Sequence, residues 1–370
     1  MTALSTRAAI IATLLAAGLA ADGRGQALAQ APIAISPPQQ NSEPEPAARA
    51  KTVRPKAVTT QPIKAAPKKP DPISAETAPA KRPAATPGPP VDLAYGAYQR
   101  GHFLTAFAEA TKRANANDPK AMALLGDLYA NGYGVARDDK KALEWYQLAT
   151  ARGDPAGTFA LAMFRLSGRG GQRDPETATK LLADASRLGH PAATYDLGLL
   201  YLQGEQFPQD FVRAAALFRA AANAGSAEAQ YALATLYKEG RGVAKDPVEA
   251  AKLMAAAAAA DYTDAQVEYA IALFNGNGVA KDEAASAILM RKAALKGSPI
   301  AQNRLARLLA TGRGLAANPV EAAKWHLIAR AGGITDLWLD GFLQQIKPTE
   351  REAGEKAAKP WLAMITQSRS

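Results

Sequence analysis

From about residue 120 onward, large apolar side chains recur at helical spacing within short segments, and the segments recur every 36 residues. Leu125, Leu161, Leu197, Leu233, Tyr269 and Leu305 hold one such position. Each is followed by a small residue: Gly126, Ala162, Gly198, Ala234, Ala270 and Ala306. Large beside small lets two helices approach closely. Further along, Trp145, Leu181, Leu217, Leu253, Leu289 and Trp325 stand one turn before Ala149, Ala185, Ala221, Ala257, Ala293 and Ala329. An i, i+4 relation places these pairs on one buried stripe of a second helix.

Polar punctuation separates the two helices. Gly132, Gly168, Gly204, Gly240, Gly276 and Gly312 are 36 residues apart without a slip, and glycine suits the left-handed residue that ends a helix. Gly134, Gly170, Gly242, Gly278 and Gly314 extend the loop. Asp138, Asp174, Asp210, Asp246, Asp282 and Asn318 then supply N-cap oxygens. Pro175, Pro247 and Pro319 follow in the first helical position, where a missing N–H costs nothing. Gly153, Gly189, Gly225, Gly297 and Gly333 close the unit, with Asp261 the exception. The unit reads helix, loop, helix. Each copy is too small to bury its own apolar face, so the copies must stack, and function should lie in a surface rather than a pocket.

The run Leu233-Ala234-Thr235-Leu236-Tyr237-Lys238-Glu239-Gly240-Arg241-Gly242-Val243-Ala244-Lys245-Asp246 resembles a Sel1-like repeat, a relative of the tetratricopeptide repeat with a longer inter-helix loop. The resemblance covers residues 120–336 as six repeats. It implies an all-α, right-handed α-solenoid of Sel1-like/TPR-like helix-loop-helix repeats with terminal capping helices. Residues 92–119 read as a degenerate N-terminal capping repeat, with helices over 94–100 and 103–116. Residues 337–370 belong to the C-terminal cap, whose helices are expected over 335–346 and 349–365, with Pro360 kinking the second. Two copies depart from the pattern. Arg165 replaces the aromatic found at Tyr129, Tyr201 and Tyr237, and the loop after Gly204 runs Glu205-Gln206-Phe207 without its second glycine. Local distortion is expected at both, with no loss of fold.

In tetratricopeptide-like folds the first helix of each repeat lines the concave side. The resemblance maps that groove onto Phe159, Met163 and Leu166; Tyr195, Leu199 and Leu202; Tyr231, Thr235 and Lys238; and Val267, Ile271 and Phe274. The flanking copies are more polar, with Ala123, Asp127 and Ala130 before, and Asn303, Arg307 and Ala310 after. An apolar, aromatic centre with polar rims is the pattern of an interaction site, here for an extended peptide or helix of a partner protein. Tight curling of such a superhelix would bury part of the stripe. Sel1-like proteins of this layout resemble exported regulators of exopolysaccharide production, so the resemblance implies a membrane sensor kinase or an envelope enzyme as partner. An alternative is a wall-associated protein that binds glycan or assists a wall enzyme.

The N-terminal quarter follows other rules. Arg7 precedes an apolar stretch from Ala8 to Ala21, and Ala27-Leu28-Ala29 offers a small-x-small cleavage site, which reads as a secretory signal peptide over 1–29 with a mature start at Gln30. An uncleaved anchor is the other reading, but the stretch falls short of the ~20 residues a spanning helix needs. Residues 30–91 form a Pro/Ala/Lys-rich linker that cannot bury a core. It carries nine basic and four acidic residues, so half of the chain's net charge of +10 resides there. That charge could serve loose attraction to anionic surfaces or merely solvate a spacer. The expected location is periplasmic or secreted.

Other functions lack their residues. With no cysteine there is no lipid-attachment site and no disulfide. No basic helix face interleaved with aromatics supports nucleic-acid binding. His102, His190 and His326 lie in different repeats or turns and read as caps or packing residues. No His-Glu-x-x-His, Gly-x-Ser-x-Gly or Ser-x-x-Lys motif is present. Gly-Arg-Gly loops lack the Lys-Ser/Thr of a phosphate cradle and read as helix ends. No enzyme activity, cofactor or metal is expected.

Overall fold

The computed structural model describes residues 92–204 and 207–367; the expected signal peptide and linker lie outside them. Among the described residues there are sixteen helices and no strand. Helices α1 (Leu93–Gln99) and α2 (Phe103–Asn115) form a short first pair. Six pairs follow: α3 (Pro119–Asn131) with α4 (Asp139–Ala151), α5 (Pro155–Ser167) with α6 (Pro175–Arg187), and α7 (Pro191–Gln203) with α8 (Phe211–Asn223). The series continues with α9 (Ala227–Glu239) and α10 (Pro247–Ala259), α11 (Thr263–Asn275) and α12 (Glu283–Leu295), and α13 (Pro299–Thr311) and α14 (Pro319–Ala331). Helices α15 (Leu337–Gln345) and α16 (Pro348–Gln367) end the array, and α16 runs through Pro360 as one helix. None of the described helices is long and apolar enough to cross a membrane.

Local chemistry sets the element ends. Gly132, Gly168, Gly204, Gly240, Gly276 and Gly312 all close their helices in the left-handed conformation. Asp138, Asp174, Asp210, Asp246, Asp282 and Asn318 each accept a backbone N–H of the following helix. The backbone N–H of each of those caps donates in turn to a carbonyl of the first helix, from Asp138 to Tyr129 at 3.0 Å through to Asn318 and Leu309 at 2.9 Å. Because that bond uses a carbonyl, Arg165 serves as well as an aromatic: Asp174 N–H reaches its oxygen at 2.8 Å, so the expected distortion is absent there. Asp261, in place of the closing glycine, takes φ +70°. Its carboxylate is held by Lys292, Lys296 and Gln266.

In five of the six pairs the core centre lies one residue beyond the expected stripe; in the last, Trp325 is itself buried. Trp145, Leu181, Leu217, Leu253 and Leu289 are only half-buried. The next residues, Tyr146, Leu182, Phe218, Met254, Met290 and His326, are buried, as is every alanine one turn on. Side-chain volume is balanced across the pair. A Cβ added to Gly126 would sit 2.3 Å from the Tyr146 ring, and one on Gly198 would sit 2.6 Å from Phe218. Where the facing residue is Leu, Met or His, alanine fits instead.

Between repeats, the second loop glycine is the seat of a clasp. A Cβ on Gly170, Gly242, Gly278 or Gly314 would fall 2.4, 2.2, 1.9 or 2.0 Å from the carbonyl oxygen of Asp139, Phe211, Pro247 or Glu283, the first residue of the preceding repeat's second helix. The residue before that glycine reaches the same helix start, thirty residues back. Tyr133 stacks on Phe103 at 4.5 Å. Arg169 donates to the Asp139 carboxylate at 2.6 and 3.1 Å and to the Ala130 carbonyl at 2.7 Å. Arg241 lies 4.1 Å over Phe211. Arg313 pairs with Glu283 and lies 4.3 Å over Phe274.

Two outcomes follow from the clasp. Gly297 also has positive φ but no atom within 4 Å of a Cβ, so Gly297→Ala should cost only the left-handed strain of about 1–2 kcal/mol. Gly278→Ala adds an overpacking cost of about 1–3 kcal/mol, and urea melts of the two variants should separate accordingly. The second outcome is in acid. Hydrogen bonds from Arg169 and Arg313 hold Asp139 and Glu283 at about 2. Since the unfolded carboxylates titrate near ~4, these pairs contribute fully above that pH and are lost as pH falls toward 2. Arg313→Gln should therefore lower Tm at pH 7 and have little effect at pH 2.

Candidate functional site

The first helices α3, α5, α7, α9, α11 and α13 present the face on which a groove is expected. Eight of its twelve expected residues keep some exposure: Phe159, Met163, Leu166, Leu202, Tyr231, Thr235, Lys238 and Ile271. The other four are corrected. Tyr195, Leu199, Val267 and Phe274 are buried, between 2% and 5% exposed, and are unavailable as partner contacts. Tyr195 and Leu199 belong to one core cluster with Phe218, whose ring is 5.5 Å from that of Tyr195. Phe274 lies beneath the Arg313 guanidinium. Thr235 and Lys238 are also engaged, the hydroxyl donating to the Tyr231 carbonyl at 3.1 Å and the ammonium pairing with Glu268 at 2.7 Å. The apolar positions that remain partly open on this face run from Met163 and Leu166 through Leu202 and Tyr231 to Ile271.

The expected polar rim after this stripe is occupied from within. Arg307 grips the Asp336 carboxylate with two nitrogens at 2.6 and 2.7 Å, and Asn303 donates to it at 2.8 Å. Asp336 also caps α15 by accepting the Leu339 N–H. Despite its burial, the hydrogen bonds from Arg307 and Asn303 hold its carboxyl below the usual range. Helix α15 is thereby set beside α13, with Trp338 44% exposed and the Arg307 guanidinium 5.3 Å over its ring. No periodic signal announced this contribution, because α15 lies past the last full repeat. A tryptophan two residues after the capping Asp was the available hint.

At the other end, Asp127 accepts the Tyr146 hydroxyl at 2.7 Å. Burial pushes its carboxyl up to about 6, against the hydrogen bond from Tyr146. Burial likewise raises Tyr98 and Tyr262 to about 12, and raises Tyr231. Two of the three histidines are held structurally. His190 caps α7, accepting the Ala193 N–H at 3.2 Å, and stacks on Phe159 at 4.5 Å. His326 fills a core position with Nε2 2.8 Å from Asp340. His102 occupies the N-cap position of α2 without a side-chain capping bond. Among the described residues no group of three or more His, Asp or Glu could hold a metal ion.

The Sel1 repeat profile matches six consecutive stretches: residues 119–154, 155–190, 191–226, 227–262, 263–298 and 299–334. Among solved structures, a Sel1 repeat protein from Oxalobacter formigenes superposes with a TM-score of 0.56 at 24% identity, over 64% of this chain and 94% of that one. That likeness concerns the fold alone. A protective antigen present in uropathogenic Escherichia coli strains, displaying an SLR fold, gives a TM-score of 0.50 at 25% identity, over 73% of this chain and 67% of its own. No curated protein matches the chain.

Asp127 provides a test of the first-helix face. Its folded value lies above the ~4 of an unfolded carboxylate, so the folded state binds the proton more tightly. Its contribution then improves as pH falls from 6 to 4 and is unfavourable at neutral pH. Asp127→Asn keeps an acceptor for Tyr146 and should raise Tm at pH 7 while flattening stability between pH 4 and 6. A lower Tm at pH 7 would contradict this.

Proposed function

Because this chain belongs to the Sel1 repeat family, we propose that it is a non-enzymatic interaction scaffold that docks a segment of a partner protein along its first-helix face. The observation that carries the proposal is the line of partly open apolar residues, Met163, Leu166, Leu202, Tyr231 and Ile271, on helices anchored by clasps and caps. A rigid row of this kind gives an extended peptide or helix successive apolar footholds without a folding cost in the receptor. Docking needs no reacting group, and His190 and His326 are taken up by capping and packing.

The proposed setting is the periplasm or the exterior of a bacterial cell, reached through the apolar segment at residues 8–21 and left with a mature start at Gln30. The proposed partner is an envelope protein, a membrane sensor kinase or an envelope enzyme, whose activity the scaffold regulates. The lysine-bearing linker provides reach between the array and that partner.

The test compares the wild-type protein with the Leu166→Ala/Tyr231→Ala/Ile271→Ala variant in capture from envelope extracts. The expected result is one protein retained by the wild type and lost by the variant, with helicity unchanged. Tyr195→Ala serves as the folding control and should lower stability by about 3 kcal/mol through core truncation. Equal capture by wild type and triple variant would overturn the docking site. Retention on purified wall glycan without a protein partner would replace the scaffold by a wall-binding role.

A further inference from the structure

Resting on the docking reading above, we infer that the first-helix row recognises a cationic side chain, an arginine or lysine of the partner segment, between the Tyr231–Tyr262 ring pair and the carboxylates of Glu228 and Asp264. The two ring centroids lie 5.3 Å apart with their planes tilted by 45°. Both rings pack on the cluster of Ala257, Ala258 and Ala265 and stay partly exposed. Tyr262 stands at the N-cap of α11. At that position the other five repeats carry Asp118, Asp154, His190, Ser226 and Ser298, each bonding its helix start through the side chain, and Tyr262 makes no such bond. A cap that stabilises the helix start elsewhere is exchanged here for a second ring beside Tyr231. Since Tyr231 belongs to the partly open row, the ring pair lies on the path of a docked segment.

The charges around the rings are unbalanced. Glu228 and Asp264 hold the second positions of α9 and α11, where the positive end of a helix favours acids. Among the described residues no Lys or Arg pairs with either, whereas the nearby Glu268 has Lys238 at 2.7 Å and Asp261 is held by Lys292 and Lys296. Glu228 accepts the Ser226 hydroxyl at 3.0 Å. Loss of solvent, then the charge of Glu268, pushes the Asp264 carboxyl upward. Burial, then Asp264 and Glu228, raises the Tyr262 phenol. One cation set among these groups relieves their repulsion and is attracted by the two rings. A neutral or acidic side chain gains neither.

Fluorine nuclear magnetic resonance of the full chain labelled with 3-fluorotyrosine tests this, using N-acetylarginine amide and its neutral isostere N-acetylcitrulline amide as probes. The variants Tyr231→Phe and Tyr262→Phe assign the two signals. The arginine probe should move both signals with an apparent affinity at least about fivefold above that of the citrulline probe. Glu228→Gln/Asp264→Asn keeps the rings and the side-chain size, and should bring the two probes within about twofold of each other. Equal response to both probes, or a variant that keeps the full preference, would overturn the inference. So would a partner that the Glu228→Gln/Asp264→Asn protein captures as well as the wild type while the Leu166→Ala/Tyr231→Ala/Ile271→Ala variant loses it, a result that leaves the docking row standing.

Discussion

The array depends on the near-contact of a loop glycine with a carbonyl at the start of the preceding repeat's second helix. Each helix pair buries leucines and alanines against its own partner, and the core continues across repeats, as where Tyr195 and Phe218 join Leu233 and Leu236. The clasp adds a close backbone approach to that packing, one that a Cβ would block. The side chain just before it then closes the joint with whatever the facing residue allows: ring on ring, guanidinium on carboxylate, or guanidinium on ring. One geometric demand is kept while the chemistry that fills it varies.

Much of the local structure is legible in the sequence because its causes are local. Left-handed glycines, aspartate caps and first-turn prolines act over three or four residues, and their 36-residue recurrence marks the repeat. The core was less legible. Each second helix carries two adjacent large residues, such as Leu217 and Phe218 or Leu289 and Met290, and helical periodicity does not choose between neighbours. The first helix chooses. Gly198 leaves space that Phe218 fills, and Ala270 faces Met290. The clasps are not legible for a different reason, since their partners are thirty residues apart and the pairing chemistry changes from joint to joint.

The candidate site divides in the same way. Positions on successive first helices were legible as a row, yet its openness depends on how closely neighbouring helices and loops pack. Tyr195, Leu199, Val267 and Phe274 are drawn into the core, while Ile271 and Tyr231 keep an edge outside. The polar rim at Asn303 and Arg307 is satisfied by Asp336, which brings α15 and Trp338 alongside the last repeat. The surface left for a partner is a narrow row of aliphatic and aromatic edges, set on successive first helices of the array.

The most direct measurement is the removal of one complete repeat, residues 263–298, followed by chemical unfolding monitored by circular dichroism. If nearest-neighbour clasps carry the register, the shortened chain brings Gly314 onto Pro247 in the seat Gly278 held, and it should still unfold cooperatively at high helix content. A shortened chain that loses its cooperative transition would contradict the account. A deletion of 35 residues at the same place, which breaks the 36-residue register, is the control that should lose it.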